Sequence, residues 1–320
     1  MIISASRRTD IPAFYSEWFM NRVRAGFCHF VNPFNADQIV RVSLKPEEVD
    51  AIVFWSKNPA LMLPHVDELE RMGFRFYFQF TLNDYPKELE PGVPPLKERI
   101  GTFRKLSDVI GRKRVIFRYD PIIISNRTSY DYHRERFERL CGQLKGATER
   151  VVISIIDYYK KTQRRLEKLD GFEFDFSDDL IYSPQMEHLL RDMASIAQKG
   201  GLEIQSCAEA RDFKDFGISH GSCIDGSLIE RIWPSVGKMA GVGGQTSLLP
   251  EPRKEWKRDK HQRPDCRCAV SKDIGMLDTC LHDCPYCYST QSLDAVLKKR
   301  ANYDPRSTAL IGSPEIESDE

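Results

Sequence analysis

The chain has 320 residues and carries 47 basic and 47 acidic side chains, so its formal net charge is zero. A neutral chain has no overall field that would steer it to nucleic acid or to an anionic membrane, and no stretch approaches the ~18 apolar residues of a membrane span. The length suits two average domains or one α/β barrel. Nine cysteines and an N-terminus without the charge order of a signal peptide predict a cytoplasmic protein whose cysteines bind metal rather than form disulfides.

Short apolar runs alternate with longer amphipathic stretches over the first two thirds of the chain. Strands are predicted at residues 2–6, 51–55, 74–81, 114–118, 151–156 and 201–206, and helices at about 16–25, 60–72, 96–110, 130–144 and 185–199. Most consecutive strands are separated by a helix, which is the pattern of βα units and of a parallel sheet. Residues 151–156 form an almost continuous apolar run, as buried parallel strands do.

The composition changes after Cys207. Residues 237–268 are rich in Gly, Pro and alternating charge, which predicts surface loops rather than barrel elements. The basic 253–267 segment holds seven Lys and Arg against three acidic residues, and it is either a solvated loop or a patch that faces phosphate. The last predicted features are a short strand at 273–277, a helix at about 292–300 and a disordered acidic tail at 313–320.

The most specific feature is a cysteine triplet, Cys280, Cys284 and Cys287, with C-x3-C-x2-C spacing and an aromatic residue, Tyr286, before the third cysteine. Three thiolates this close in sequence can hold three irons of a [4Fe–4S] cluster and leave the fourth iron open for a ligand that is not protein. A structural zinc site usually takes four protein ligands, often in C-x2-C pairs. Unrelated buried thiols are common, but rarely so dense in a polar segment. The spacing therefore favours a cluster over zinc or inert thiols.

Four further cysteines form a second candidate set. Cys266 and Cys268 are spaced C-x-C, a pair that can ligate one metal, and Cys207 and Cys223 would complete a four-cysteine site. Such a site suits an auxiliary [4Fe–4S] cluster or, alternatively, zinc. The other interpretation is that Cys207 belongs to the core and that Cys223 is a lone loop thiol.

The triplet resembles the signature of the radical S-adenosylmethionine (SAM) enzymes, in which the fourth iron chelates SAM. In that family the motif follows the first strand of a partial TIM-like barrel, whereas here it follows the other units. The resemblance therefore implies an α/β fold: a partial TIM-like (β/α) barrel with a parallel sheet, circularly permuted so that the cluster-binding strand-loop-helix unit is C-terminal. A nearly closed barrel keeps its contacts when the chain is cut elsewhere. Residues 1–312 would form this single barrel, and residues 207–268 its auxiliary metal segment.

Several segments resemble one branch of that superfamily, the spore photoproduct lyase-like proteins. Residues 89–100, Leu-Glu-Pro-Gly-Val-Pro-Pro-Leu-Lys-Glu-Arg-Ile, resemble its E-P-G…E-R-I segment, and residues 118–123, Arg-Tyr-Asp-Pro-Ile-Ile, resemble its R-x-D-P-I strand end. The chain is also similar over nearly its full length to the bacterial DUF1848 family. Spore photoproduct lyase carries a hydrogen-donating cysteine on the strand that here spans residues 2–6. No cysteine stands there, so repair of DNA lesions by that route is not expected.

The resemblance also implies SAM contacts at the C-terminal ends of the strands, where barrel enzymes place their active sites. Asp10 and Thr9 would accept hydrogen bonds from the SAM ammonium group, although Asp10 could equally cap the following helix. Lys57 would pair with the SAM carboxylate, or else it is a solvated loop residue. The other implied contacts are Thr81 and Asn83 at the ribose, Arg118 and Asp120 at adenine or substrate (or paired with each other), and Tyr286 at the cofactor.

The implied activity is reductive cleavage of SAM to methionine and a 5′-deoxyadenosyl radical, which abstracts a hydrogen atom from an unidentified substrate. An electron donor such as flavodoxin or ferredoxin would reduce the cluster. The alternative is a non-catalytic iron–sulfur or zinc protein that binds nucleic acid through the basic 253–267 segment. Neither interpretation involves a membrane.

Overall fold

The computed structural model describes residues 1–32, 35–234 and 255–312, and the predicted acidic tail lies outside these ranges. The strands are β1 Ile2–Ala5, β2 Phe27–Asn32, β3 Asn35–Ser43, β4 Ala51–Ser56, β5 Phe76–Thr81, β6 Val115–Ile122, β7 Arg150–Ile155, β8 Glu203–Cys207, β9 Ser219–Gly221 and β10 Ser271–Asp273. The α-helices are α1 Ile11–Phe14, α2 Ser16–Ala25, α3 Val66–Arg71, α4 Leu96–Ile110, α5 Tyr130–Gln143, α6 Lys160–Leu166, α7 Pro184–Lys199, α8 Gly226–Ile232 and α9 Leu293–Arg300. None of these described helices combines the length and the apolar content needed to cross a membrane.

Eight strands form one sheet, in the order β10-β1-β4-β5-β6-β7-β8-β9. Every neighbouring pair in it is parallel, and helices make most of the crossover connections that parallel neighbours need. β2 and β3 form a separate antiparallel hairpin. Within the described ranges, β9 and β10 are the two edges of the sheet and do not pair with each other. The α/β class with a large parallel sheet is confirmed, while the partial barrel and its permutation stay predictions.

The helices α1, α6 and α8 and the strand β9 were not predicted, and the observed elements also differ from the predicted ones elsewhere. Residues 60–72, predicted as one helix, begin as 3-10 turns at 59–61 and 63–65 and become α-helical only at Val66, since Pro64 has no amide hydrogen for an α-helical bond. The β2–β3 hairpin was not predicted, because polar residues interrupt its apolar alternation. The last strand lies at Ser271–Asp273 rather than at 273–277, because the amide of Gly275 bonds the Asp273 side chain instead of a neighbouring strand.

The two faces of the sheet are covered by different parts of the chain. Side chains alternate between faces along a strand. On one face, Ile3 and Phe54 pack with apolar side chains of α2, α4, α5 and α7 in one large buried cluster. On the other face, Ile2 and Val53 pack with α8 and with residues 256–269, which carry two of the cysteines. The major helices therefore cover one face, and a cysteine-bearing segment covers the other.

Candidate functional site

A short strand, β10, places the cysteine triplet at one end of the sheet. β10 pairs in parallel with β1, and Asp273 lies opposite Ser4. The Asp273 carboxylate accepts hydrogen bonds from the hydroxyls of Ser4 and Ser6, both at 2.8 Å, and from the amide of Arg7 at 2.9 Å. The C-terminal end of the strand that precedes the triplet is thereby fixed to the C-terminal end of β1.

A cavity of about 460 Å³ opens at these strand ends. All the predicted site residues except Asn83 line this cavity, and both cysteine sets are among them. Asn83 instead bridges the backbone of Asp120, with its Nδ2 donating to the carbonyl oxygen at 2.8 Å and its Oδ1 accepting from the amide at 3.1 Å. Asn83 therefore braces the end of β6, and its predicted ribose contact has no support from its position.

Side chains from other elements hold the backbone of the cysteine loop. Arg165 in α6 donates hydrogen bonds to the carbonyl oxygens of Cys284 and Thr290, both at 2.8 Å. The Tyr15 hydroxyl donates to the carbonyl oxygen of Thr279 at 2.7 Å. The shape of the loop is thus set by side chains far away in sequence, and no sequence pattern indicated that Arg165 or Tyr15 would do this.

Glu90 lies at the centre of a buried group of charges beside the triplet. Its side chain is 3% exposed, and its Oε1 accepts hydrogen bonds from Lys57 Nζ at 2.8 Å and from the Tyr286 hydroxyl at 2.6 Å. Arg99 Nη2 lies 3.6 Å from Oε2. Burial by itself would raise the pKa of Glu90, but the charges of Lys57 and Arg99 outweigh burial and hold that pKa below its ordinary value. Lys57 is therefore ion-paired inside the protein and is not a solvated loop residue.

The E-P-G segment contacts the cysteine loop directly through its glycine. The Gly92 amide donates to the carbonyl oxygen of His282 at 2.9 Å. A Cβ atom at this position would lie 2.4 Å from the carbonyl oxygen of Leu281, so a side chain does not fit between the two backbones. Glu90 and Gly92 were part of a quoted resemblance, but nothing in the sequence connected them to cysteines almost 200 residues later.

Asp10 connects β1, β4 and the cysteine loop. Its Oδ1 accepts from the Ala13 amide at 3.0 Å and caps α1, which confirms the capping interpretation. Its Oδ2 accepts from the Lys57 amide at 2.7 Å and lies 2.8 Å from His282 Nε2. The neighbouring Thr9 differs, because its buried Oγ1 has no hydrogen-bond partner among the described residues. Thr9 is therefore freer than Asp10 to bind a ligand.

Arg118 and Asp120, in β6, pair with each other, with Arg118 Nε donating to Asp120 Oδ2 at 3.0 Å. Arg118 Nη1 also donates to Cys223 Sγ at 2.7 Å. Arg118 thus turns toward the second cysteine set. Thr81 ends β5 and contributes to the cavity wall.

The second cysteine set comes together from three segments. Cys207 ends β8 and Cys223 follows β9, and their Sγ atoms are 2.8 Å apart. The Cys268 side chain interacts with those of Cys223 and Cys266. All four thiols are free and buried. Within the described ranges, no three His, Cys, Asp or Glu side chains form a ready-made ligand group for a single metal ion.

Arginines of the basic 253–267 segment are bound within the chain, as far as the segment is described (residues 255–267). Arg258 donates to the carbonyl oxygens of Pro264 and Cys266, the latter at 2.7 Å. Arg263 pairs with Asp157 and lines the cavity. These two cations therefore stabilise the segment that carries Cys266 and Cys268.

A family model described as a domain of unknown function, DUF1848, matches residues 2–289. The chain belongs to the DUF1848 family. The DUF1848 match spans both cysteine sets and every predicted site residue, so the cavity lies within the family domain. No curated protein matches the chain. For this DUF1848 protein the function is therefore argued from the site itself.

Proposed function

We propose that the chain is a radical SAM enzyme of unidentified substrate, built on a circularly permuted partial (β/α) barrel. The observation that supports this best is the position of the triplet, which follows β10 and lines a cavity at the ends of parallel strands. If β10 is counted before β1, the order of strands in the sheet continues along the chain through β4, β5, β6, β7 and β8. The cysteine loop then follows the first strand, and the site lies where barrel enzymes carry their active sites.

The donors and the space at this site fit a cluster with one open iron and a small cofactor. Three thiols close in sequence suit three irons, and Cys280, Cys284 and Cys287 all line the cavity. The volume of about 460 Å³ falls in the range of about 300–1,000 Å³ found for small-molecule pockets. The unpartnered Oγ1 of Thr9 supplies a polar atom that a ligand could satisfy.

When bound, these groups would supply radical chemistry: one electron from a donor such as flavodoxin or ferredoxin would allow SAM to be cleaved to methionine and a 5′-deoxyadenosyl radical. Transfer of a hydrogen atom from the substrate would then give 5′-deoxyadenosine and a substrate radical. The side chains have separate tasks. Thr9 would accept from the SAM ammonium group, since Asp10 is already engaged. Glu90 would hold the Lys57 ammonium group beside Cys284, and Arg165 would keep the loop in place.

The test is the release of 5′-deoxyadenosine by anaerobically reconstituted, dithionite-reduced protein incubated with SAM. Slow release is expected even without substrate. Cys284→Ala should abolish release, because the loss of one of three ligands destabilises the cluster. The matched control is Cys141→Ala, which removes a buried thiol from α5 and should retain release. Cluster-replete protein that neither binds SAM nor makes 5′-deoxyadenosine would overturn the proposal and leave a non-catalytic metal protein.

A further inference from the structure

Two arginines beside the second cysteine set share one tryptophan. The guanidinium carbon of Arg118 lies 5.2 Å from the centre of a Trp55 ring, and that of Arg7 lies 5.7 Å from it. A guanidinium within about 6 Å of an aromatic ring is attracted to the electrons of its face. Trp55, near the end of β4, thus holds two positive charges at the wall of the cavity that the four cysteines also line.

These two arginines are buried beside the second cysteine set, and their charges act on its sulfurs as well as on acidic side chains. Arg118 is 3% exposed; it pairs with Asp120 and also donates to Cys223 Sγ at 2.7 Å. Arg7 has a buried Nη2 without a hydrogen-bond partner in the described parts of the chain, and its guanidinium group interacts electrostatically with Cys268, Asp273 and Cys223. A buried cation is costly unless it is paired. The unpartnered Nη2 of Arg7 and the hydrogen bond from Arg118 to Cys223 Sγ therefore favour an anionic group among the four sulfurs.

We propose that Cys207, Cys223, Cys266 and Cys268 bind a second [4Fe–4S] cluster, and that Arg7 and Arg118 supply its counter-charge. Four thiolates leave such a cluster with a net negative charge, and this charge would complete the pairing of the two guanidinium groups. A structural zinc site is closed and usually contains C-x2–4-C pairs. Here the only close pair has C-x-C spacing and all four cysteines line the cavity wall, which favours the cluster over zinc.

The positions of the arginines have a consequence for the redox properties of this cluster. Reduction adds negative charge, so nearby cations and N–H donors to sulfur stabilise the reduced form and raise the reduction potential. Arg118 donates a hydrogen bond to the sulfur of Cys223. Arg7, which also lies over the Trp55 ring, adds a second cation nearby. The two arginines position charge at the cluster and are not themselves its ligands.

Metal binding is tested in a chain that lacks the triplet, Cys280→Ala/Cys284→Ala/Cys287→Ala. Anaerobic reconstitution with iron and sulfide should give about four irons per chain and absorbance near 400 nm. Adding Cys266→Ala and Cys268→Ala should reduce the iron to near zero. One zinc per chain with no iron, or no metal at all, would overturn the second cluster. This experiment involves no SAM, so it succeeds or fails independently of the proposed enzyme activity.

The counter-charge is tested in the same triplet-free chain by redox titration. Arg7→Met should shift the midpoint potential to a more negative value with four irons retained, and Arg7→Lys should restore much of the shift. Arg7 is preferred to Arg118 because removal of Arg118 would leave the Asp120 carboxylate without the cation of its ion pair. The matched control is Arg8→Met: Arg8 also lines the cavity, but it stacks on Phe30 at 5.2 Å and should shift the potential far less. Equal shifts for Arg7→Met and Arg8→Met, or no shift for either, would overturn the role of Arg7.

Discussion

At the scale of single residues, the charges beside the triplet depend on one another. Lys57 and Arg99 place two cations next to the single carboxylate of Glu90, and the Lys57 and Glu90 side chains are only 14% and 3% exposed. Attraction between such charges has to offset the loss of their hydration. Removal of one partner leaves the others buried with incomplete pairing, so these residues contribute to folding as well as to the site.

Lys57→Met should lower the free energy of unfolding by about 3 kcal/mol, because it leaves the Glu90 carboxylate buried with only Arg99 and Tyr286 as partners. Urea unfolding under anaerobic conditions measures the change. The double variant Lys57→Met/Glu90→Gln should recover part of the loss, since it removes the orphaned charge. Lys45→Met is the control: Lys45 pairs with Glu48 on the surface at 3.9 Å, and such pairs contribute little. Equal losses for Lys57→Met and Lys45→Met would contradict the argument.

Most of the residues that the sequence predicted for this site do line the cavity. The spacing of the cysteines can be read from a short segment of the sequence. The strand ends near Thr9, Lys57 and Arg118 can be predicted because each strand is a short apolar run. The partners of these residues are not local: Glu90 binds the Tyr286 hydroxyl 196 positions away, and no periodicity in the chain encodes that contact. Roles that depend on such long-range contacts could therefore not be predicted, as the alternatives for Lys57 and Asp10 illustrate.

At the scale of elements, β10 is short for the task it performs. Three residues of parallel pairing provide few backbone hydrogen bonds, and the Asp273 side chain adds four more acceptor contacts, to Ser4, Ser6, Arg7 and Gly275. The predicted strand at 273–277 had the apolar composition of a strand, but the chain turns at Asp273. Hydrogen bonds to the Asp273 side chain therefore replace the backbone hydrogen bonds that a longer strand would have made.

Asp273→Ala should lower the free energy of unfolding by about 2–4 kcal/mol, since hydrogen bonds to charged groups contribute about 1.5–3 kcal/mol each and the four donors partly find water instead. Because β10 positions the triplet, the variant should also retain less iron after gel filtration. Asp273→Asn keeps one acceptor oxygen and should be intermediate. The control Asp294→Ala removes an exposed acid from the first turn of α9. Unchanged iron content in Asp273→Ala would show that the triplet does not need β10.

At the scale of the whole molecule, His133 and Tyr119 form a buried polar pair, and Tyr119 belongs to the large apolar cluster. His133 is fully buried; its Nε2 is 2.9 Å from the carbonyl oxygen of Ile123, and its Nδ1 is 2.8 Å from the Tyr119 hydroxyl. A carbonyl oxygen only accepts, so Nε2 carries the proton and Nδ1 accepts from Tyr119. Burial lowers the pKa of His133 to about 4, which keeps the native imidazole neutral.

Global stability should therefore depend on pH through His133. Between about pH 6.5 and about pH 4 the unfolded chain binds a proton at His133 that the native protein does not, so this residue removes about 3 kcal/mol of stability as the pH falls through that window. It has no such effect above that range. Urea unfolding gives the free energy of unfolding of the native sequence and of His133→Gln at each pH. The difference between the two values should become smaller as the pH falls toward 4. If the free energies of unfolding of the two proteins changed in parallel with pH, the pKa of His133 in the native protein would not be lowered.

The pairing of β10 with β1 joins the last strand of the sheet to the first one. During synthesis, β1 leaves the ribosome long before its partner, and chains fold from the N-terminus as they emerge. The β4-to-β9 part of the sheet can thus assemble on β1 while the other edge of β1 stays open, which is the kind of edge that invites aggregation. The triplet thiols emerge only after that assembly. Iron for the proposed catalytic cluster must then be delivered to a nearly folded protein, and a prematurely terminated chain would lack its binding loop altogether.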